Sequence, residues 1–267
     1  MKRPFKDART CKFLRLNYER IVRILIFGRL TSLKSFTPFI LMKLQEIVPW
    51  GRTLEEYVRM FALTPKDLTS KILGVGDGPA SFNAEMTAMN GQVISIDPVY
   101  AFSAQQIEQR VQQTYPAIVD QIRVTADGYR WDQFKDAYEL GQYRLTAMKR
   151  FLSDYPTGKQ QGRYLANQLP TLPFADRFFD LSVCSHLLFL YSKHLSEQVH
   201  YDSIKELVRV SNEVRIFPLQ TLEGEQSPYL DSIVKALTDE SIQVDRVPVA
   251  YEFQRGANEM LRIRFAD

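Results

Sequence analysis

The stretch Leu73-Gly-Val-Gly-Asp-Gly-Pro-Ala80 is the most informative part of this sequence, because a short apolar run leads into three glycines spaced two apart. Glycine adopts left-handed backbone conformations at little cost and leaves no side chain between the backbone and a ligand. A buried strand that runs into such a turn and then a helix is typical of the ligand-binding edge of an α/β sheet. The turn residues predicted to contact a cofactor are Gly74, Gly76, Asp77 and Gly78.

An aspartate ends the next predicted strand, Gln92-Val-Ile-Ser-Ile-Asp97, 23 residues after Gly74. A carboxylate at that point accepts hydrogen bonds from both ribose hydroxyls of a nucleoside cofactor. The spacing is G-x-G-x-G, and Pro79 stands where the dinucleotide fingerprint G-x-G-x-x-G has its last glycine. No pyrophosphate cradle is evident, which favours a cofactor without phosphates, namely S-adenosylmethionine.

Strands and helices alternate over most of the chain, which predicts an α/β fold with a doubly wound, mostly parallel sheet. The capping box Thr53 to Glu56 begins the first helix, and Thr64-Pro65 predicts a second short one. Further strands are predicted at 163–166, 177–186 and 213–219, helices at 54–63, 79–90, 103–113, 194–210 and 227–237, a helical insert at 115–162, and an antiparallel hairpin from 244–253 and 260–265.

Together these motifs resemble the class I S-adenosylmethionine-dependent methyltransferases, over residues 53–267. The resemblance rests on the glycine turn, Ile96-Asp97, Leu172-Pro-Phe174 ahead of Phe179-Asp180-Leu181, and the final hairpin. It implies a seven-stranded Rossmann-like sheet with an antiparallel last strand, and a methyl donor lying across the glycine turn and Asp97. The stretches 76–85, 95–98 and 185–191 are similar to an uncharacterised bacterial branch of that superfamily.

The sequence departs from the family's pattern at two places. Ile72 stands where the family has an acid that contacts the methionine part of the donor, and Asn167 or Gln168 stands where an acid lies near the adenine. A neutral amide still bonds the adenine amino group, so Asn167 and Gln168 are expected at the cofactor. The departures keep a non-catalytic binding module open as an alternative. A nicotinamide-dependent oxidoreductase is a further alternative, but it needs a glycine at position 79 or a phosphate-binding turn.

Ser185 and His186 end the fourth predicted strand, where the family places residues that face the methyl acceptor. We predict both as catalytic, with His186 as a general base. The alternative is that His186 caps the following segment or fills a packed corner. An Asn/Asp-Pro-Pro-Tyr tetrad does not occur there, which argues against the usual amino-methylating nucleic-acid enzymes. A small or medium-sized molecule is therefore the expected acceptor.

Other candidates for the acceptor site lie in the hairpin turn and in the helical insert. Arg255 is suited to bind a carboxylate or phosphate, and Tyr129-Arg-Trp131 is suited to form a lid. The alternatives are an exposed turn arginine and a packed helical insert. The predicted acceptor-binding residues are Arg255, Asn258, Tyr129 and Trp131, and Tyr57 and Arg59 are expected to approach the donor.

Composition indicates one large globular domain, or one domain with an attached cap, with 267 residues, 45% hydrophobic and 24% charged. Cys11 and Cys184 are far apart, which gives no disulfide framework and predicts a reducing, cytoplasmic setting. Cys184 is expected in the core. Three histidines are too few and too badly spaced for a metal site, and His194 and His200 are expected on a helix surface.

Positive charge is concentrated at the start of the chain. Residues 1–35 carry a net charge of +8, against +3 for the whole chain, so the rest is mildly acidic. The longest apolar run there, Ile24 to Phe27, has four residues and is surrounded by arginines, which argues against a spanning helix. The longer apolar stretch and the small-residue cleavage site of a signal peptide are not evident. Three interpretations stay open: an amphipathic helix on anionic lipid or nucleic acid, a transit-like leader, or poorly ordered upstream sequence. We divide the chain into a basic arm, 1–41, and a methyltransferase-like domain, 42–267; the oligomeric state is not predicted.

Overall fold

A seven-stranded sheet organises the protein, for which a computed structural model describes residues 50–265. Its strands, in chain order, are β1 Lys71–Val75, β2 Gln92–Ile96, β3 Tyr164–Leu165, β4 Phe179–Ser185, β5 Ser211–Phe217, β6 Ile242–Pro248 and β7 Glu259–Phe265. Their order in the sheet is β3-β2-β1-β4-β5-β7-β6. The first five strands pair in parallel, and β7 runs antiparallel to both β5 and β6. This confirms the predicted fold and its terminal hairpin.

Six α-helices cover the sheet within the described part of the chain. They are α1 Leu54–Met60, α2 Phe82–Ala88, α3 Ala104–Val124, α4 Ala137–Gln160, α5 Glu197–Val210 and α6 Leu230–Asp239. The predicted capping box is present at the start of α1, with Thr53 and Glu56 bonding each other's backbone amides. None of the helices between residues 50 and 265 is both long and apolar enough to cross a membrane. The predicted arm, 1–41, and Cys11 lie outside the described residues.

The helical segment after β2 is longer than predicted. The helix expected at 103–113 continues to Val124 and includes Pro116. Its buried residues, Ile107, Val111, Ile118 and Ile122, follow one helical face on both sides of the proline, so burial of that face outweighs the helix-breaking tendency of proline. The predicted insert 115–162 is therefore wrong at its start, because it consists of the end of α3, a linking segment 125–136, and α4.

Apolar residues pack on both faces of the sheet, because alternate strand residues point to opposite sides. Leu73 and Cys184 lie in the core formed with α5 and α6, which confirms Cys184 as a core residue. Ile72 lies in the core formed with α1 and α2. With both faces covered, ligands reach the sheet at the carboxyl ends of its strands.

Two local predictions are wrong. Thr64-Pro65 does not begin a helix; a single turn forms later, at Asp67–Thr69, where Asp67 bonds back to Thr64. His200 is fully buried rather than on the surface. Its Nδ1 lies 2.8 Å from the Ser196 carbonyl and its Nε2 lies 2.9 Å from the Leu188 carbonyl, so two hydrogen-bond partners offset the cost of burying a polar ring. His194 is exposed, as predicted, but it lies in the turn before α5 rather than on the helix.

Candidate active site

The glycine turn leaves the carboxyl end of β1 in a conformation that glycine favours. Gly76 and Gly78 have φ angles of 71° and 50°, in the left-handed region that other residues adopt only with strain. The amide of Gly78 donates to Asp97 Oδ2 at 3.0 Å, and the hydroxyl of Tyr100 donates to the Gly78 carbonyl at 2.7 Å. The turn is thus held in place from the end of β2.

Gly76 also approaches the segment that follows β4. A Cβ at this position would lie 3.0 Å from the Cβ of Leu187 and 3.3 Å from the Ser185 carbonyl. The turn follows β1 and the segment follows β4, and these two strands are adjacent in the sheet. From β1 the chain crosses to β2 on one side, whereas from β4 it crosses to β5 on the other side. This is the position in a doubly wound sheet where a crevice forms and ligands bind.

Asp97 follows the last residue of β2, as predicted. Its Oδ1 accepts from the Val99 amide at 2.8 Å, and its Oδ2 accepts from Gly78. Burial raises its pKa to about 6, against which the two backbone hydrogen bonds act. Each carboxylate oxygen has a second lone pair, so Asp97 can still accept hydrogen bonds from a ligand hydroxyl.

Asp77 is directed into the protein. A Cβ on Gly74 would collide with the Asp77 carboxylate, so Gly74 makes room for this side chain. The Tyr57 hydroxyl donates to Asp77 Oδ1 at 2.7 Å, and the Ser95 hydroxyl donates to Oδ2 at 2.6 Å. Burial, with a smaller contribution from the charge of Asp97, raises the pKa of Asp77 to about 7. The Asp77 carboxylate and the Tyr57 hydroxyl therefore lie on the inner side of the turn, facing the protein interior.

Asn167 and Gln168 follow β3, the edge strand next to β2, and Asp97 follows β2. β3 pairs with β2 through Ile96 and Leu165, and the Asp97 amide donates to the Leu165 carbonyl at 3.2 Å. Both amide side chains are half-buried. Their position beside Asp97 agrees with the expected adenine contact, which stays a prediction.

Ser185 and His186 lie at the carboxyl end of β4. The Ser185 hydroxyl is 3.0 Å from His186 Nδ1, and the His186 amide donates to the Phe217 carbonyl at 2.7 Å. His186 has a φ of 51°, a left-handed conformation that is uncommon outside glycine and is concentrated at functional sites. Its ring is packed edge-on to Phe217, with 5.5 Å between the centroids.

The electrostatic surroundings keep His186 neutral at pH 7. Burial lowers its pKa well below the usual value, and the positive charges of Arg52 and Arg144 lower it further. A neutral imidazole can accept a proton, which a general base must do. The predicted role of His186 is compatible with this state and stays a prediction.

A buried group of charged and phenolic side chains beside His186 was not predicted. Arg144, only 1% exposed, forms an ion pair with Glu56, which is 3% exposed. The Tyr251 hydroxyl donates to Glu56 Oε1 at 3.1 Å, and Phe217 packs edge-on to Tyr251. Glu56 had been recognised only as a capping residue, and no local pattern links it to an arginine 88 residues later.

The other predicted acceptor residues lie where the 125–136 segment meets the β6–β7 connection. Tyr129 stacks on Phe253 with ring centroids 4.7 Å apart, and Trp131 meets the same ring edge-on at 5.7 Å. Arg255 Nε donates to the Asp127 carbonyl at 2.8 Å. These contacts attach the segment to the connection.

No hydrogen bond among the described residues joins Arg255 or Asn258 to the glycine turn or to His186. Both side chains are exposed, and the Asn258 carbonyl accepts from the Val249 amide at 2.9 Å. Arg59 donates to the Ala250 carbonyl through Nε and Nη2, and so stabilises the same connection. Their predicted roles toward donor and acceptor are not tested by these contacts.

Comparisons with known proteins give one similar sequence and several similar structures. No family model matches the chain. The uncharacterized protein MJ0045 of Methanocaldococcus jannaschii is 35% identical over 224 residues, which are 84% of this chain and 98% of that protein. The magnesium protoporphyrin IX methyltransferase of Synechocystis, solved with bound S-adenosylmethionine, has a TM-score of 0.43 at 11% identity, covering 99% of this chain and 100% of the other. The N-methyltransferase NodS of Bradyrhizobium japonicum also has a TM-score of 0.43, at 13% identity over 80% of this chain and 96% of the other.

Proposed function

This chain belongs to the family of the uncharacterized protein MJ0045 of Methanocaldococcus jannaschii, and we propose that it is an S-adenosylmethionine-dependent methyltransferase with a small or medium-sized acceptor. The observation that carries the proposal is the hydrogen-bonded unit of glycine turn and aspartate. Gly78 donates to Asp97, and Gly76 leaves space that a side chain would fill beside the end of β4. An open backbone next to a ribose-binding carboxylate suits a nucleoside cofactor.

The start of α2 argues against a dinucleotide. A pyrophosphate binds at free amides of a helix N-terminus, but here the Ser81 amide donates to the Arg52 carbonyl at 2.9 Å. The carboxylate of Glu85 lies in the same turn and accepts from the Ser81 hydroxyl. Its other oxygen pairs with Arg150 at 2.9 Å, so this turn already holds a carboxylate of the protein itself, which supports a donor without phosphates.

The described side chains can serve methyl transfer by positioning and by taking up a proton. When bound, S-adenosylmethionine supplies a methyl group activated by a sulfonium. With His186 Nδ1 facing Ser185 at 3.0 Å, Nε2 is the ring nitrogen left to accept a proton from an acceptor hydroxyl or amine. The segments that follow β1 and β4 hold the donor and the acceptor next to each other. Such positioning supplies much of the rate acceleration in a reaction between two molecules.

Calorimetry with S-adenosylhomocysteine and with NAD tests the choice of cofactor. We expect S-adenosylhomocysteine to bind and NAD not to bind; the reverse result would refute the proposal. Catalysis is tested with a methyl-labelled donor and a broad pool of small acceptors. His186→Ala should lower turnover far more than donor affinity, whereas the exposed His194→Ala should change neither. Donor binding without transfer to any acceptor would point to a non-catalytic binding protein.

A further inference from the structure

We propose that Arg52 binds an acidic group, a carboxylate or a phosphate, on the methyl acceptor. This rests on the proposed function, because it assigns the chemical class of the molecule that the same site methylates.

Arg52 has a fixed backbone and a poorly satisfied side chain. Its carbonyl accepts from the Ser81 amide at the start of α2, which holds the residue beside the glycine turn. The guanidinium makes one long hydrogen bond, from Nη1 to the Trp50 carbonyl at 3.3 Å. Its Nε is enclosed and has no hydrogen-bond partner among the described residues. A covered donor without an acceptor is costly, and an oxyanion would satisfy it.

The nearby carboxylate is already engaged. Glu56 accepts from Arg144 and from the amide of Thr53 through Oε2, and from the Tyr251 hydroxyl through Oε1. Among the described residues no carboxylate forms an ion pair with Arg52, so this cluster of two arginines and one glutamate keeps one uncompensated positive charge. Arg52 is half-buried, and a partly desolvated charge without a partner is unfavourable, so a bound anion would reduce that cost.

The position of Arg52 favours the acceptor as the source of the anion. Arg52 directly precedes Thr53, whose amide donates to Glu56 Oε2 at 3.0 Å. After burial, the groups that change the pKa of Arg52 most are Arg144, Tyr251 and Glu56. Those side chains belong to the cluster beside His186, whereas the carboxylates Asp77 and Asp97 belong to the glycine turn. Arg52 therefore lies between the glycine turn and the cluster that adjoins His186, the residue proposed to act on the acceptor. The fork of a guanidinium suits two oxygens of one carboxylate or phosphate.

An anion on Arg52 would also act on His186. Arg52 and Arg144 both lower the pKa of His186, while Ser185 and the edge of Phe217, its other close neighbours, carry no charge. Neutralising Arg52 removes one of the two charges, so the imidazole becomes a stronger base when the acidic acceptor is present. The acceptor would then help to activate the residue that takes its proton.

The test uses the full chain with S-adenosylhomocysteine present and three probes: benzoate, inorganic phosphate and neutral benzamide. We expect benzoate or phosphate to bind, benzamide not to bind, and the bound anion to raise the pKa of His186 in an NMR titration. The choice between benzoate and phosphate identifies the class of acid. Arg52→Gln should weaken anion binding at least tenfold, and Arg52→Lys should retain part of it. Arg123→Gln, the same change at an arginine whose side chain is 70% exposed, should leave it intact.

Two results would overturn the assignment. One is that neither benzoate nor phosphate binds to the protein or changes the pKa of His186. The other is that Arg52→Gln lowers affinity for S-adenosylhomocysteine, which would place Arg52 at the carboxylate of the donor. Failure of the wild-type chain to bind S-adenosylhomocysteine is a different outcome, because it refutes the proposed function; the anion titration of the free protein then still decides whether Arg52 holds an acidic ligand.

Discussion

Asp97 has two tasks, because its carboxylate both holds the glycine turn and is expected to bind the donor ribose. Asp97→Ala should weaken S-adenosylhomocysteine binding by about 1.5–3 kcal/mol, the usual contribution of a hydrogen-bond partner that carries a charge. Calorimetry measures this loss directly. Asp120→Ala removes an exposed carboxylate whose one ion pair among residues 50–265 is with Arg123, three residues on, and should change nothing. Equal affinity of wild type and Asp97→Ala would remove Asp97 from the site.

Asp77 should make stability depend on pH. Burial raises its pKa from 3.8 to about 7, so the folded chain binds this proton more tightly than the unfolded chain. The stabilisation is complete below about pH 4 and is lost as the pH rises through about 7; three pKa units correspond to a loss on the order of 4 kcal/mol. The Asp77→Asn variant lacks this titration. Its free energy of unfolding relative to that of wild type, measured with urea, should therefore increase as the pH rises from about 4 to about 7. A relative stability that is constant with pH would contradict this.

Single residues also show what sequence patterns can and cannot predict. The glycine turn, Asp97 and the Thr53–Glu56 capping box follow from short local motifs, and the structure has each where it was expected. The inward direction of Asp77 could not be predicted, because it depends on Tyr57 and Ser95 from two other elements. The burial of His200 also could not be predicted, because it depends on a hydrogen bond to the carbonyl of Leu188, twelve residues earlier.

At the level of elements, the ion pair between Glu56 and Arg144 joins α1 to α4. Either single change, Glu56→Leu or Arg144→Met, leaves a buried charge without its partner and should cost about 3–5 kcal/mol. The double variant should cost much less than the two single losses together, since it leaves neither charge. Urea unfolding of the four proteins gives the coupling energy. Additive losses would show that the two side chains stabilise the fold independently.

Element boundaries were harder to predict than element types. Pro116 lies inside α3 and Pro156 lies inside α4, although the low helix propensity of proline alone would predict the end of a helix at each. The buried face of α3 decides its length, and that face is recognisable only when its packing partner is known. The strands were easier, since both faces of the sheet are covered and the runs are accordingly apolar.

For the whole molecule, residues 50–265 contain a complete sheet with apolar packing on both faces. We therefore expect a chain that begins at Met42 to fold and to bind S-adenosylhomocysteine as the full chain does. Its melting temperature should lie within about 5 °C of the full chain, a limit that corresponds to roughly 2 kcal/mol. A larger decrease would show that residues 1–41 stabilise the domain. Salt-sensitive retention of the full chain alone on anionic vesicles or nucleic acid would give the basic arm a binding role.

The place of β1 in the sheet has a consequence for synthesis on the ribosome. β1 lies between β2, which follows it closely, and β4, which begins about 100 residues later. At about 5–20 residues per second, the edge of β1 that receives β4 stays uncovered for roughly 5–20 s. Unpaired apolar strand edges are sites of aggregation, so a nascent chain that pauses before Phe179 exposes the middle of its future sheet.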